Sequence, residues 1–91
     1  MKFVFSAAKD KLNRARHDGL SLDDANKLDL NTLVTRPDTS YAYGEERWIG
    51  FARMRDDARL YAIVFVELSD EESRVISLRK ATGQEELDYA T

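Results

Sequence analysis

The spacing of apolar residues changes along the chain, from helical spacing in the first third to strand-like runs from Leu33 onward. A short strand is predicted over residues 2–5. Ser6 then provides the N-cap of a helix that runs to His17, within a stretch that holds no Gly or Pro. Gly19 suits the left-handed position that follows such a helix. The chain is therefore expected to open with a strand and a helix.

Two capping boxes predict two further helices. Ser21 is followed three residues later by Asp24, and Thr82 is followed three residues later by Glu85. In the first of these helices apolar residues recur at helical spacing, at Leu22, Ala25 and Leu28. We expect one short helix to dock on the core and another to close the chain.

Four strand candidates lie between these helices, rich in aromatic and β-branched residues: 33–36, 47–55, 59–67 and 74–79. The connections over 56–58 and 68–73 are short, which favours an antiparallel meander. The strand over 59–67 is apolar on both faces, so helices should cover one face and a partner the other. The prediction is an α+β fold with a small antiparallel sheet.

Length and composition narrow the class of protein. The chain has 91 residues, of which 43% are hydrophobic, and we expect residues 1–91 to form one domain. Charged residues make up 34%, yet the net charge is only −3, which counts against a nonspecific nucleic-acid binder. A localised basic site remains compatible with that charge.

The sequence also excludes several kinds of site. It has no cysteine, which rules out disulfides, zinc–thiolate sites and a cysteine nucleophile. With His17 as its one histidine, it cannot form a site that needs two. Apolar runs are too short to span a bilayer, and the first residues do not resemble a signal peptide. We expect a cytoplasmic protein without a cofactor or metal.

Polar residues of the first helix could carry chemistry. Helical spacing places Lys9, Asn13, Arg16 and His17 on one face. Most such faces are simply solvated. His17, however, lies at the helix C-terminus, where the helix dipole favours its charged form, and a histidine that titrates near neutrality can transfer protons. Both interpretations stay open on this pattern.

Two more polar groups lie near the ends of predicted strands. Glu46 and Arg47 precede Trp48, and Arg79 and Lys80 end the last strand. In a regular strand Arg74 and Arg79 would point to opposite faces, so we expect them to serve different sites. Cleavage of a phosphodiester needs a base, an acid and fixed cations, which these residue types can supply. They occur in every soluble domain, so they leave the function open.

The whole chain resembles the BrnT family, the toxin half of a type II toxin–antitoxin pair. An aromatic opening strand is followed by Ala8-Lys9, Asn13, Arg16-His17, Gly19, Ser21-Leu22 and Ala25. The two distinctive segments are Tyr43-Gly44-Glu45-Glu46-Arg47-Trp48-Ile49 and Arg74-Val75-Ile76-Ser77-Leu78-Arg79-Lys80-Ala81, with Glu86 and Tyr89 after them.

The resemblance implies a RelE-like fold and a metal-independent ribonuclease that inhibits translation. It also implies a BrnA-type antitoxin that carries a ribbon-helix-helix segment. Such an antitoxin binds the toxin directly, in a complex expected to be 2:2, and the complex represses its own promoter. Contact with DNA would then be indirect, through the antitoxin, and RNA would be the substrate.

The resemblance also implies a set of site residues. The catalytic set is His17, Glu46, Arg47, Arg79 and Lys80, and Lys9 and Asn13 are assigned to substrate binding. To the substrate-binding set we add Arg16, from the polar face of the first helix, and Tyr43, an aromatic residue of a polar loop. His17 is the first choice for the acid or base and Glu46 the alternative base. The cations would hold phosphate, and Tyr43 could stack on a base.

The chain departs from the family pattern in two places. Phe5 and Ser6 stand where family members usually have a tryptophan and an aspartate, and they keep the roles of apolar anchor and N-cap. The second departure is an added residue. Asp18 stands between His17 and Gly19, where family members run from histidine directly into glycine. An added residue could lengthen the helix and turn His17 by about 100°. This departure and the negative net charge keep an alternative open, in which the chain is a catalytically decayed module that only binds the antitoxin. A third reading, a small adaptor unrelated to toxins, fits the two distinctive segments less well.

Overall fold

The computed structural model describes residues 1–39 and 44–91 of the chain. The elements in order are β1 (Lys2–Val4), α1 (Ala7–Arg16), a 3₁₀ helix (Leu22–Lys27), β2 (Leu28–Pro37), β3 (Trp48–Met54), β4 (Leu60–Glu67), β5 (Glu72–Lys80) and α2 (Gly83–Ala90). Both predicted capping boxes form, and the Ser6 side chain accepts the Lys9 N–H at the start of α1. Among the described residues no helix is long and apolar enough to cross a membrane.

The strands form one five-stranded sheet in the order β1-β5-β4-β3-β2. The predicted antiparallel meander from β2 to β5 is confirmed. The prediction of an antiparallel sheet is wrong for β1, because it pairs with β5 in parallel, with Phe3 opposite Ser73. Most of the chain separates these two strands, so the crossover that a parallel pair needs is available. The fold is α+β with a mixed sheet.

Several predicted boundaries moved by one or more residues. Phe5 lies outside β1 and is 36% exposed. The second helix is a 3₁₀ helix that ends at Lys27, and Leu28 begins β2, five residues before the predicted strand start at Leu33. Leu28 pairs with Met54 across the sheet and its side chain is 1% exposed. Its apolar spacing from Ala25 reflects a shared core rather than a continued helix.

The core lies between one face of the sheet and the 3₁₀ helix, while α1 has Asn13 as its one buried residue. It contains Phe3, Leu22, Ala25, Leu28, Ala52, Met54, Tyr61, Ile63, Phe65, Val75 and Leu78. On the other face, α2 packs at one end of the sheet. The Tyr89 hydroxyl donates to the Thr32 carbonyl at 2.5 Å, and the Arg53 guanidinium lies 5.2 Å from the centre of the Tyr89 ring.

A bulge in β5 determines which way its arginines point. Val64 pairs with Ser77 but Phe65 pairs with Val75, so Ile76 is an extra residue in the ladder. As a result Arg74 and Arg79 project from the same face, and the expectation of opposite faces is wrong. Arg74 and Arg79 nevertheless bind different carboxylates, those of Glu45 and Glu85.

Candidate active site

The C-terminal end of α1 presents His17. The helix ends at Arg16, and His17 caps it with its N–H donating to the Asn13 carbonyl at 2.9 Å. Asp18 and Gly19 follow with φ of 54° and 77°, so both adopt the left-handed conformation. The added Asp18 therefore lies in the turn and does not lengthen the helix.

Asn13 fixes this end of the helix to the sheet. It is 4% exposed, and its Nδ2 donates to the carbonyls of Leu20 and Leu78, both at 2.9 Å. Its Oδ1 accepts the Leu78 N–H at 3.1 Å. Because both amide hydrogens are engaged with backbone, Asn13 holds the segment around His17 against β5.

Asp10 holds the segment that follows the turn, a role that sequence reasoning missed. Its Oδ1 accepts from the Ser21 hydroxyl at 3.0 Å and the Leu22 N–H at 2.8 Å. Its Oδ2 accepts from Arg14 Nε at 2.9 Å. The backbone hydrogen bond from Leu22, ahead of the Arg14 charge, lowers the pKa of Asp10. The sequence offered one signal only, the Asp–Arg pair at helical spacing.

A cavity lies between the end of α1 and the end of β5. It has a volume of about 520 Å³ and is lined by four predicted site residues, Arg16, His17, Arg79 and Lys80. Asp18 and Asp24 also contribute to its wall. An imidazole and three cationic side chains thus meet at one open cavity, although they come from distant parts of the sequence.

A smaller pocket of about 230 Å³ lies beside the C-terminal end of α1. Lys9 and Arg47 line it, and Arg16 and His17 line it as well as the larger cavity. Asn13 lies at its wall. The two cavities therefore share the residues of the α1 terminus, and cations stand on both sides of His17.

Arg79 is held by α2. Its Nη1 and Nη2 donate to the two carboxylate oxygens of Glu85 at 2.7 and 2.9 Å. The hydrogen bond from Arg79, with a further bond from the Thr82 N–H, lowers the pKa of Glu85 to about 2. In turn the Glu85 hydrogen bond raises the pKa of Arg79 above its ordinary value. From the sequence, Glu85 was predicted only as a capping residue, because a bond between a strand end and a helix six residues later has no periodic signature.

The remaining predicted residues lie elsewhere. Glu46 is exposed and does not line either cavity. Tyr43 lies outside the described residues. Arg47 Nη2 is 3.6 Å from Glu45 Oε1, and the same carboxylate is bound more tightly by Arg74, at 2.9 and 3.0 Å. The structure thus brings Arg47 to the His17 region but leaves Glu46 at the surface.

His17 and the cations around it can together perform proton transfer beside a bound anion. An imidazole can remove or deliver a proton, and fixed cations can bind a phosphate and stabilise charge that develops on it. Across residues 1–39 and 44–91 no group of three or more His, Asp or Glu side chains is arranged to hold a metal ion.

Two comparisons with known proteins show what the fold and the sequence are similar to. The fold is similar to the 1.1 Å crystal structure of the Brucella abortus ribonuclease toxin BrnT, with a TM-score of 0.67 and 21% identity, over 90% of this chain and 97% of that chain. Curated protein sequences give no match. The model of a family described as "Ribonuclease toxin, BrnT, of type II toxin-antitoxin system" matches residues 5–85. The chain therefore belongs to the BrnT family of type II ribonuclease toxins.

Proposed function

We propose that this chain is a metal-independent endoribonuclease, with the scissile phosphate of the RNA in the larger cavity beside His17. The observation that carries the proposal is the meeting of His17 with Arg16, Arg79 and Lys80 at that one cavity. These side chains supply a proton-transfer group and fixed positive charge, which cleavage next to a 2′-hydroxyl requires.

In the proposed reaction His17 removes the proton of the ribose 2′-hydroxyl. The 2′-oxygen attacks phosphorus, the bond to the 5′-oxygen breaks, and a 2′,3′-cyclic phosphate forms. The leaving 5′-oxygen takes up a proton, for which the Lys80 ammonium and water in the open cavity are the donors. Arg79 and Arg16 bind the phosphate oxygens and stabilise the charge that builds up on them.

The smaller pocket extends the RNA-binding surface. Lys9 and Arg47 line it and would hold a neighbouring phosphate of the chain. We assign Asn13 to positioning rather than to substrate binding, since its amide hydrogens already bind backbone carbonyls. Glu46 is exposed and outside both cavities, so the proposal gives the base role to His17. Base stacking by Tyr43 stays a prediction.

The cellular function follows from the family. A type II system pairs its toxin with a protein antitoxin, and we propose a BrnA-type ribbon-helix-helix partner in a 2:2 complex that represses its own promoter. RNA cleavage would inhibit translation in the cytoplasm. The RelE-like relationship belongs to the same proposal and is supported by the α+β fold, a five-stranded sheet with helices packed against it.

Cleavage of a defined RNA oligonucleotide by the purified protein tests the activity. We expect cleavage that persists in EDTA, products that end in a 2′,3′-cyclic phosphate, and no cleavage of the same oligonucleotide with 2′-O-methyl groups. Activity that EDTA abolishes, or cleavage of the methylated RNA, would contradict the mechanism. Intact RNA at high protein concentration, together with antitoxin binding, would support the alternative of a decayed binding module.

The antitoxin partner is tested separately from the chemistry. Expression of the chain should stop growth, and co-expression with the protein encoded by the adjacent reading frame should restore it. Light scattering of the co-purified complex then measures the stoichiometry, for which we expect two copies of each chain. Growth that the adjacent protein does not restore would count against the proposed partner.

A further inference from the structure

We propose that Glu85 of α2 is a positioning residue for Arg79, so that the C-terminal helix forms part of the active site. The inference rests on the proposed function, in which Arg79 contacts the RNA phosphate. Glu85 itself would touch neither the phosphate nor the reacting atoms. It acts through the arginine, by setting which edge of the guanidinium faces the cavity.

The hydrogen bonds of Arg79 define that edge. An arginine side chain has five N–H donors. Within residues 1–39 and 44–91, Arg79 Nη1 donates to Glu85 and, at 3.3 Å, to the Lys80 carbonyl, and Nη2 donates once, to Glu85. The Nε–H and the second Nη2 hydrogen remain, and they lie side by side on one edge. Since Arg79 lines the larger cavity, this edge is available for a bidentate phosphate contact.

Glu85 is itself held in place. Its Oε1 accepts the Thr82 N–H at 2.8 Å, and its own N–H donates to Thr82 Oγ1 at 3.2 Å. This capping box fixes the first turn of α2, and the carboxylate is 21% exposed. The helix cap therefore sets the position of the Arg79 guanidinium through Glu85. Because the arginine is already ordered, binding of the substrate costs little further side-chain entropy.

The same contact could instead compete with phosphate for Arg79 and act as an inhibitory latch. The geometry favours positioning, because Glu85 occupies the Nη1–Nη2 edge and leaves the adjacent edge free. The two interpretations make opposite predictions. Loss of a positioning carboxylate lowers the cleavage rate, whereas loss of a latch raises it.

The first experiment compares Glu85→Gln with Glu86→Gln in the RNA cleavage assay. Glutamine keeps the capping box but cannot bind the guanidinium through two charged oxygens. Glu86 is the matched control, because it lies on the same helix, its carboxylate is 3.7 Å from Arg53, and it lines neither of the two cavities at His17. We expect kcat to fall about 10- to 100-fold in Glu85→Gln and to stay unchanged in Glu86→Gln. An unchanged or higher kcat in Glu85→Gln would overturn the proposal.

A double-mutant cycle separates positioning from a general loss of structure. In the Arg79→Ala background, Glu85→Gln should cause no further loss, because the group that it positions is gone. Equal losses in both backgrounds would show that Glu85 acts independently of Arg79 and would refute the proposal. Thermal unfolding of each variant confirms that the proteins compared are folded.

The second experiment does not depend on RNA cleavage. Inorganic phosphate is titrated into the protein while the Arg79 Nε–H resonance is followed by NMR. We expect a saturable shift in the wild type and a several-fold weaker affinity in Glu85→Gln. An Arg79 resonance that phosphate does not move, or equal affinities, would overturn the positioning role. A wild type that binds phosphate through Arg79 yet leaves RNA intact would instead refute the proposed function.

Discussion

The side chain of Asn13 binds both backbone groups of Leu78, donating to its carbonyl at 2.9 Å and accepting its N–H at 3.1 Å. In this way a helix residue provides the hydrogen bonds that a further strand would have provided to β5. The contact lies between the cavity-lining residues His17 and Arg79, which are far apart in sequence. It thus ties the α1 terminus to the strand that carries the proposed phosphate-binding side chains.

Replacement of this amide should destabilise the fold. In Asn13→Ala the N–H and carbonyl of Leu78 lose their partner in a buried place, and we expect a loss of about 2–4 kcal/mol in the free energy of unfolding. Chemical denaturation measures it. Asn31→Ala, at an exposed position, serves as the control and should change stability by less than about 0.5 kcal/mol. A loss in Asn13→Ala no larger than that of the control would contradict the structural role.

The turn after His17 requires a glycine. Gly19 has φ of 77°, so Gly19→Ala should cost about 1 kcal/mol even though nothing lies within 4 Å of an added Cβ. Gly83 at the start of α2 also has open space but no positive φ. Gly83→Ala should therefore be neutral or stabilise by up to about 0.5 kcal/mol. Equal effects of the two substitutions in thermal denaturation would argue against the strained turn.

The placement of His17 and Glu46 predicts which one acts as the base. His17→Ala should lower RNA cleavage by about 100-fold or more, because a proton-transfer group is lost from the cavity. Glu46→Gln, at an exposed position outside the cavity, should retain most of the rate. Initial rates measured under saturating RNA decide between them. A larger loss in Glu46→Gln than in His17→Ala would reverse the assignment.

The contribution of Glu85 to stability should depend on pH. Its pKa in the folded protein is about 2, below the ordinary value of 4.5, so the contribution is present above that ordinary value and is lost as pH falls toward the folded pKa. Since Arg79 is one third exposed, we expect only roughly 1 kcal/mol at neutral pH, after solvent screening. Unfolding of the wild type and Glu85→Gln across this range measures the difference. A difference that grows on acidification would contradict the pairing.

Local signals predicted most of the elements. The caps at Ser6, Ser21 and Thr82 all form, because capping is a contact within three residues and depends little on the rest of the fold. Leu28 was assigned to the wrong element, since the apolar spacing of a short helix and that of the strand that follows it overlap when both face one core. The bulge at Ile76 has no local signature, and it alone reversed the predicted direction of Arg79 relative to Arg74.

The candidate site, like the fold, could be predicted from the sequence only in part. The residue types of the candidate site and the family were evident from sequence, because the first helix and the two distinctive segments carry them. The environment of each side chain was not evident from the sequence. Asn13 lies at helical spacing from His17, yet its side chain is buried and hydrogen-bonded to the backbone. Glu46 is next to Arg47 in the sequence, yet it lies outside both cavities. Burial depends on what packs against a face, which periodicity does not report.

The sequence by itself determined the α+β class, the helix caps, the antiparallel meander and the family. The first three follow from short-range chemistry and from apolar spacing along the chain, and the family follows from the resemblance carried by the two distinctive segments. Only the tertiary structure decided that β1 joins β5 in parallel, that the end of α1 meets the end of β5 at one cavity, and that Glu85 holds Arg79. The first two join residues that are far apart in sequence, and the third depends on how α2 is placed against the end of β5. Neither kind of contact leaves a periodic pattern in the sequence.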